Sequence, residues 1–151
     1  TTLFRSNLRY TTFLQDELVA VVHTGSKLSL PDEITPEDLS RIPLVLRERG
    51  SGTLDVFERA LSEHNMKLSS LNVLLYLGST ESIKLFLEHT DCIGIVSIRS
   101  ISRELLSGTF RVIEIKGMPM LREFCFAQPQ GQESGLSQVL MQFAMHHNKK
   151  L

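Results

Sequence analysis

The residues best suited to chemistry are Arg47, Gly50, Ser51, Gly52 and Thr53, within the run Arg-Glu-Arg-Gly-Ser-Gly-Thr that opens at Arg47. They follow the aliphatic run Leu44-Val45-Leu46 and precede a helical pattern. A turn from strand into helix aims backbone N–H groups outward at the positive end of the helix dipole, where an anion is held. Gly50 and Gly52 let a ligand approach the backbone closely. The hydroxyls of Ser51 and Thr53 add hydrogen-bonding groups, and Arg47 or Arg49 adds charge. The same hydroxyls also serve as plain helix caps, and the two roles are compatible. The turn is not a P-loop, because no Gly-Lys-Ser/Thr follows at the required spacing. It is not a nucleophile elbow, because Arg49 and Thr53 stand two residues either side of Ser51 where glycines are needed.

A second turn repeats the arrangement in Leu77-Gly78-Ser79-Thr80-Glu81-Ser82. Ser79, Thr80 and Glu81 are expected to present N–H and hydroxyl groups to the same crevice, or else to cap and charge the helix start. Other chemistry finds little support. The five histidines, His23, His64, His89, His146 and His147, include no pair four residues apart and none beside Cys92 or Cys125. No metal, cofactor or Cys-His nucleophile is expected. Both cysteines lie in apolar runs and read as small buried thiols. Arg41, Arg59, Lys84 and Arg103 read as solvated charge.

The turns need a frame to hold them. Residues 8–13 read as a short edge strand, and residues 17–22 as a separate apolar strand ended by a turn at 24–26. Residues 31–39 form a loop into a short helix, with Thr35 as cap and Pro36 at the first helical position. A strand at 44–46 leads to a helix from Ser51 or Gly52 to about Glu63, with Leu54, Phe57 and Leu61 on one face. Residues 72–77 read as a buried strand. A helix over 81–89 follows, with Ile83, Phe86 and Leu87 inward, then a strand at 93–97. A short helix at 101–106 stops at Gly108. Strands at 110–115 and 121–126 precede a last helix from Ser134 to about His147, with Leu136, Val139, Leu140, Phe143 and Ala144 along one side. This alternation is that of an α/β domain built from βαβ units.

Composition fits one folded domain. The 151 residues are 42% hydrophobic and 22% charged, with a net charge of −1. The pI near 6.5 is far from the basic balance of a domain that grips nucleic acid directly. No stretch approaches the roughly 18 apolar residues of a membrane span, and no secretory signal pattern opens the chain.

The ordered set of motifs resembles the C-terminal effector-binding, substrate-binding-like domain of LysR-type transcriptional regulators. The run DELVAVVHTGSKL…ITPEDLSRIPLVLRERGSGT, from Asp16 to Thr53, carries most of the likeness. LGSTESIK, IGIVS, SISRELLSGTF and the closing helix extend it over nearly the whole chain. The likeness departs at His89-Thr90-Asp91-Cys92, where the family usually has glycine-rich sequence. It also begins late, without the winged helix-turn-helix and the first βαβ units of the family.

The resemblance implies an α/β, type 2 periplasmic-binding-protein-like fold of two lobes, the second complete and the first partly present. Residues 1–22 would be a first-lobe remnant and first crossover strand. Residues 23–120 would be the second lobe, and 121–151 the return crossover strand and first-lobe C-terminal helix. The implied function is sensing of a small, anionic effector in an inter-lobe crevice, altering the oligomer and thereby transcription. Arg47, Gly50, Ser51, Gly52, Thr53, Ser79, Thr80 and Glu81 would contact the effector. The implied partners are the effector, a homodimer or homotetramer, and DNA through a winged helix-turn-helix outside this chain. Membrane association is not expected, and the location would be cytoplasmic. An unpaired first-lobe edge would favour dimerisation or disorder near residues 1–15. A periplasmic-type solute-binding protein is the alternative, since it would share the fold. An enzyme is not expected, because no catalytic constellation stands out.

Overall fold

The computed structural model describes residues 7–131 and 134–148. The chain divides into two compact units, one of Asp16–Arg122 and one of Thr1–Gln15 with Glu123–Leu151. The sheet has the order β2-β6-β1-β5-β3-β4, and β7 also pairs with β1. Its strands are β1 (Leu8–His23), β2 (Glu33–Ile34), β3 (Leu44–Arg47), β4 (Val73–Leu77), β5 (Ile93–Ser97), β6 (Phe110–Ile115) and β7 (Leu121–Pro129). The helices are α1 (Gly52–Glu63), α2 (Thr80–His89), α3 (Ser102–Leu106) and α4 (Gly135–Asn148).

In the unit Asp16–Arg122, β3 runs parallel to both β4 and β5. β1 is antiparallel to β5 and β6. Both faces of the sheet are covered at β3, β5 and the inner part of β1, which is why those strands read as unbroken apolar runs. Leu18, Ala20, Val22, Leu44, Leu46 and Ile95 pack on the α1 face with Leu54, Phe57 and Leu61. Val19, Val21, Val45 and Val96 pack on the other face with Ile83 and Leu87 of α2. α2 sits so close to β5 that a Cβ on Gly94 would lie 3.0 Å from both Ile83 Cγ2 and Leu87 Cδ1.

Local chemistry sets the helix ends. Ser51 caps α1, and its Oγ accepts from Thr53 N. At the far end Asn65 takes a left-handed φ of 57°, and Met66 N donates to Leu61 O at 2.9 Å, a common way to close a helix. Thr35 and Pro36 start a 3-10 turn over Pro36–Ser40, as their types suggest. The Asp38 carboxylate accepts from Thr35 N at 2.8 Å and pairs with Arg41. Asp91 gives the departure at 89–92 a structural role. Its Oδ1 accepts from Ser26 Oγ at 2.9 Å and Lys27 N at 2.8 Å.

The other unit holds the outer parts of β1 and β7 together with α4. Phe13 and Phe126 pack with ring centroids 5.0 Å apart. Gln130 N donates to Asn7 O at 2.9 Å, and Asn148 Nδ2 donates to Phe13 O at 3.4 Å.

Several expectations are corrected. The two strands expected at 8–13 and 17–22 form one strand of 16 residues, because the polar Gln15-Asp16-Glu17 stretch between them stays extended. That strand begins at Leu8; residues 1–6, part of the segment expected to be disordered, lie outside the described residues. β4 is not buried: Leu74, Leu75 and Tyr76 are 46, 43 and 41% exposed, because β4 ends the strand order. The apolar side read in the last helix is there, but its Leu136, Val139, Leu140 and Phe143 are at least 60% exposed. Periodicity shows that a helix has an apolar side without showing what covers it. Cys92 is buried as expected, but Cys125 is exposed on β7. Lys84 is not solvated charge; its side chain is 13% exposed, between Glu81 and Glu104.

Candidate functional site

The two turns singled out in the sequence leave the same edge of the sheet. β3 and β4 are parallel and Arg47 lies opposite Leu77, so both helices start from carboxyl ends of neighbouring strands. Glu48 N donates to Leu77 O at 3.0 Å and ties the ends together. β5 is parallel to β3 and ends at Ser97 on the same side. The carboxyl ends of parallel strands are where open α/β sheets bind ligands.

The first turn is built on Gly50, whose φ of +87° suits glycine. Ser51 N donates to Glu48 O at 3.2 Å, and Asp55 N donates to Ser51 O at 3.1 Å as the first helical bond. Ser51 Oγ accepts from Thr53 N at 3.2 Å. Ser51 and Thr53 are buried polar residues, 9 and 8% exposed, while Gly52 is exposed. Arg47 does not present isolated charge. Its Nε and Nη2 donate to the two Glu48 carboxylate oxygens at 3.0 and 3.2 Å. That fork of hydrogen bonds holds the Glu48 carboxyl below the usual carboxylate range.

The second turn is mainly a cap. Ser79 Oγ accepts from Ser82 N at 3.1 Å and lies 2.8 Å from Ser82 Oγ. Thr80 opens α2. Glu81 pairs with Lys84 at 3.1 Å.

Three residues not singled out in the sequence join the first turn. Arg122, at the start of β7, donates from Nη1 to Thr53 Oγ1 at 3.3 Å. Its Nε donates to Asp16 Oδ2 at 2.8 Å. The Asp16 side chain is fully buried, and its Oδ1 accepts from Ser97 Oγ at 2.7 Å. Asp16, Ser97, Arg122 and Thr53 thus form a chain of polar contacts joining β1, β5, β7 and α1. One signal for Asp16 was present: it shares the period of Leu18, Ala20 and Val22, which all point to the α1 core. Nothing local marks Arg122, whose partners lie 69 and 106 residues away.

A cleft of about 330 Å³ opens elsewhere in this unit, bordered by Glu17, Val19, Ile98, Val112, Glu114 and Met118. None of the turn residues lines it, and its carboxylates repel an anion. Among the described residues no cluster of three or more His, Cys, Asp or Glu could hold a metal. No helix among them is long and apolar enough to cross a membrane.

This arrangement, an α/β sheet with polar helix-starting turns at the carboxyl ends of its parallel strands, is that of a ligand-binding domain of the type 2 periplasmic-binding-protein-like fold. A family model described as the LysR substrate binding domain matches residues 3–149, and the chain belongs to that family, the regulatory, effector-binding domains of LysR-type regulators. The HTH-type transcriptional activator CmpR of Synechocystis sp. (strain ATCC 27184 / PCC 6803 / Kazusa) is 29% identical over 144 residues, covering 95% of this chain and 46% of CmpR. The chain therefore spans less than half the length of that curated relative. The CcmR regulatory domain of Synechocystis PCC6803, solved in complex with 2-PG, superposes with a TM-score of 0.80 at 25% identity, covering 96% of this chain and 69% of that one. The effector-binding domain of QuiR, solved with shikimate, gives a TM-score of 0.76 at 19% identity, over 96% of this chain and 67% of that one.

Proposed function

We propose that this chain senses a small anionic metabolite for a LysR-type transcriptional regulator, binding it at the Gly50–Thr53 turn. The observation that carries this reading is the buried, capped start of α1, where Ser51, Thr53 and the Arg122 guanidinium converge. Backbone N–H groups at a helix start and a guanidinium both favour a carboxylate or phosphate. Gly50, Gly52 and Thr53 with Arg122 form the main contact, Arg47 shapes the turn through Glu48, and Ser79, Thr80 and Glu81 flank it. The related domains solved with 2-PG and with shikimate, a carboxylate, support a small polar ligand. Residues 23–120 form the second lobe, bounded by crossover strands at 17–22 and 121–126. The protein is not an enzyme. It works in the cytoplasm as a homodimer or homotetramer, reaching DNA through a helix-turn-helix segment. Effector binding shifts an existing conformational equilibrium that is read at a promoter.

The test is a thermal-shift screen of carboxylates, phosphate esters and amino acids against the chain and a Ser51→Ala, Thr53→Ala version. A ligand that raises the melting temperature of the first and not the second supports the turn. A ligand that stabilises both equally places the effector elsewhere.

A further inference from the structure

The cleft away from the turns is built into the sheet. β6 pairs with β1 as far as Ile113 opposite Ala20. Past that point β1 takes another neighbour: Leu18 N donates to Met120 O at 2.9 Å. The segment between, residues 116–120, closes the opening and is held in place. Met118 N donates to Ile115 O at 3.1 Å, and Gly117 O lies 3.0 Å from His64 Nε2. Met118 and Met120 are each 4% exposed, packed into the α1 face of the core. The cleft therefore has fixed walls and lies within the unit Asp16–Arg122.

Its volume of about 330 Å³ is at the small end for ligand pockets. Val19, Ile98 and Val112 supply an apolar floor, and the charged residues of the lining are Glu17 and Glu114. Val19 and Val112 belong to the apolar cluster on the α2 face. Side chains alternate along a strand, so Glu17, two residues from Val19, and Glu114, two residues from Val112, share that face. Both glutamates are exposed, and among the described residues no ion pair or hydrogen bond engages either carboxylate. They stand on different strands beside one apolar floor. An anion is repelled there. A hard metal ion needs six or more oxygen ligands, and the aliphatic floor offers none. An organic molecule with a cation at each end and methylenes between matches both features, because it pairs the two carboxylates and takes its apolar middle out of water.

We propose that this cleft is a ligand site separate from the turns, which takes a short aliphatic diamine in its doubly protonated form. One ammonium pairs with Glu17, the other with Glu114, and the methylene chain lies along Val19 and Val112. The site does not depend on where the effector of the regulator binds.

The experiment is NMR titration of the isotope-labelled chain with cadaverine at constant ionic strength and pH 7, where both amino groups are protonated. Saturable amide shifts are expected at residues 17–20, 98 and 112–120. Pentylamine, with one ammonium, is expected to bind about fivefold more weakly, the scale of one exposed ion pair, and the matching diol not to bind. Glu17→Gln and Glu114→Gln should each weaken cadaverine by about the same factor and remove its advantage over pentylamine. Both residues are exposed, so neither change disturbs the core. Glu58→Gln, on the exposed side of α1 over the other face of the sheet, should leave binding unchanged. If a glutamine variant does not fold by circular dichroism, the comparison of cadaverine, pentylamine and diol on the unaltered chain decides. The proposal is overturned by the absence of saturable shifts, by shifts spread over other acidic surfaces, or by equal affinity for pentylamine and cadaverine. Unchanged binding in both glutamine variants would overturn it too.

Discussion

Lys84 of α2 reaches Glu104 of α3 at 2.5 Å, joining two helices that are 20 residues apart in sequence at this contact (84 to 104). The ammonium also meets Glu81 at 3.1 Å and donates to Ser100 O at 3.2 Å. Burial alone would lower the Lys84 pKa; the hydrogen bonds it donates to Glu104 and Glu81 outweigh that and raise the pKa above the ordinary value. The Lys84 hydrogen bond holds the Glu104 carboxyl below its ordinary value. Glu104 Oε2 is buried with no hydrogen-bond partner among the described residues, so the ammonium is what makes this carboxylate tolerable there.

Lys84→Met is therefore expected to cost about 2 kcal/mol, by leaving a mostly buried carboxylate unpaired. The pH dependence has a definite sign. Glu104, with a lowered folded pKa, contributes stability that is complete above its unfolded value of about 4.3 and is lost as pH falls through the folded value. Lys84, with a raised folded pKa, contributes stability complete below its unfolded value of about 10.4 and lost as pH rises through the folded value. Chemical denaturation at pH 7 and pH 3 should show a smaller gap between wild type and Lys84→Met at the lower pH. A constant gap would show that the lysine acts through packing alone.

The two cysteines should differ sharply in reactivity. Burial pushes the Cys92 thiol up to about 11, with Asp91 adding to the shift, whereas Cys125 is exposed on β7. The thiolate is the reactive form, so a disulfide reagent at pH 8 should modify one thiol quickly in the native protein. The second should react only in denaturant. Mass mapping should place the fast adduct on Cys125, and fast labelling of Cys92 would contradict the packing of the α2 face.

Gly94→Ala tests the contact between α2 and β5. The added methyl would meet Ile83 Cγ2 and Leu87 Cδ1 at 3.0 Å, closer than carbon atoms pack. Both neighbours are fully buried and have little room to yield. A loss of about 1–3 kcal/mol is expected in urea unfolding. A neutral result would mean that α2 shifts outward freely.

Ser51→Ala separates capping from ligand contact. Without ligand it should cost about 1 kcal/mol, because Thr53 N loses its acceptor. Thr53→Val keeps the shape of the side chain and removes only the hydroxyl that accepts from Arg122. It should alter stability less than Ser51→Ala while still weakening binding of the proposed anionic effector, a comparison that urea unfolding and titration make together.

What the sequence determined by itself was the order of elements and the chemistry of the turns. Gly50, Ser51 and Thr53 lie within a few residues of one another, so the capped turn follows from local sterics and hydrogen bonding. The parallel frame was legible for the same reason, because β3, α1, β4, α2 and β5 each carry their own periodicity. The tertiary structure decided everything that depends on distant partners. The run at 72–77 is apolar whether or not a strand covers it, and only the strand order put Leu75 and Tyr76 at an edge. Lys84 looked like surface charge until α3 brought Glu104 beside it. The proposed site divides along the same line. Its turn is local, but the charge behind it comes from Asp16 and Arg122, brought together by β1 and β7 from opposite ends of the chain. Hydrophobic period and turn chemistry act over a few residues, whereas an ion pair needs only closeness in space, which no local pattern specifies.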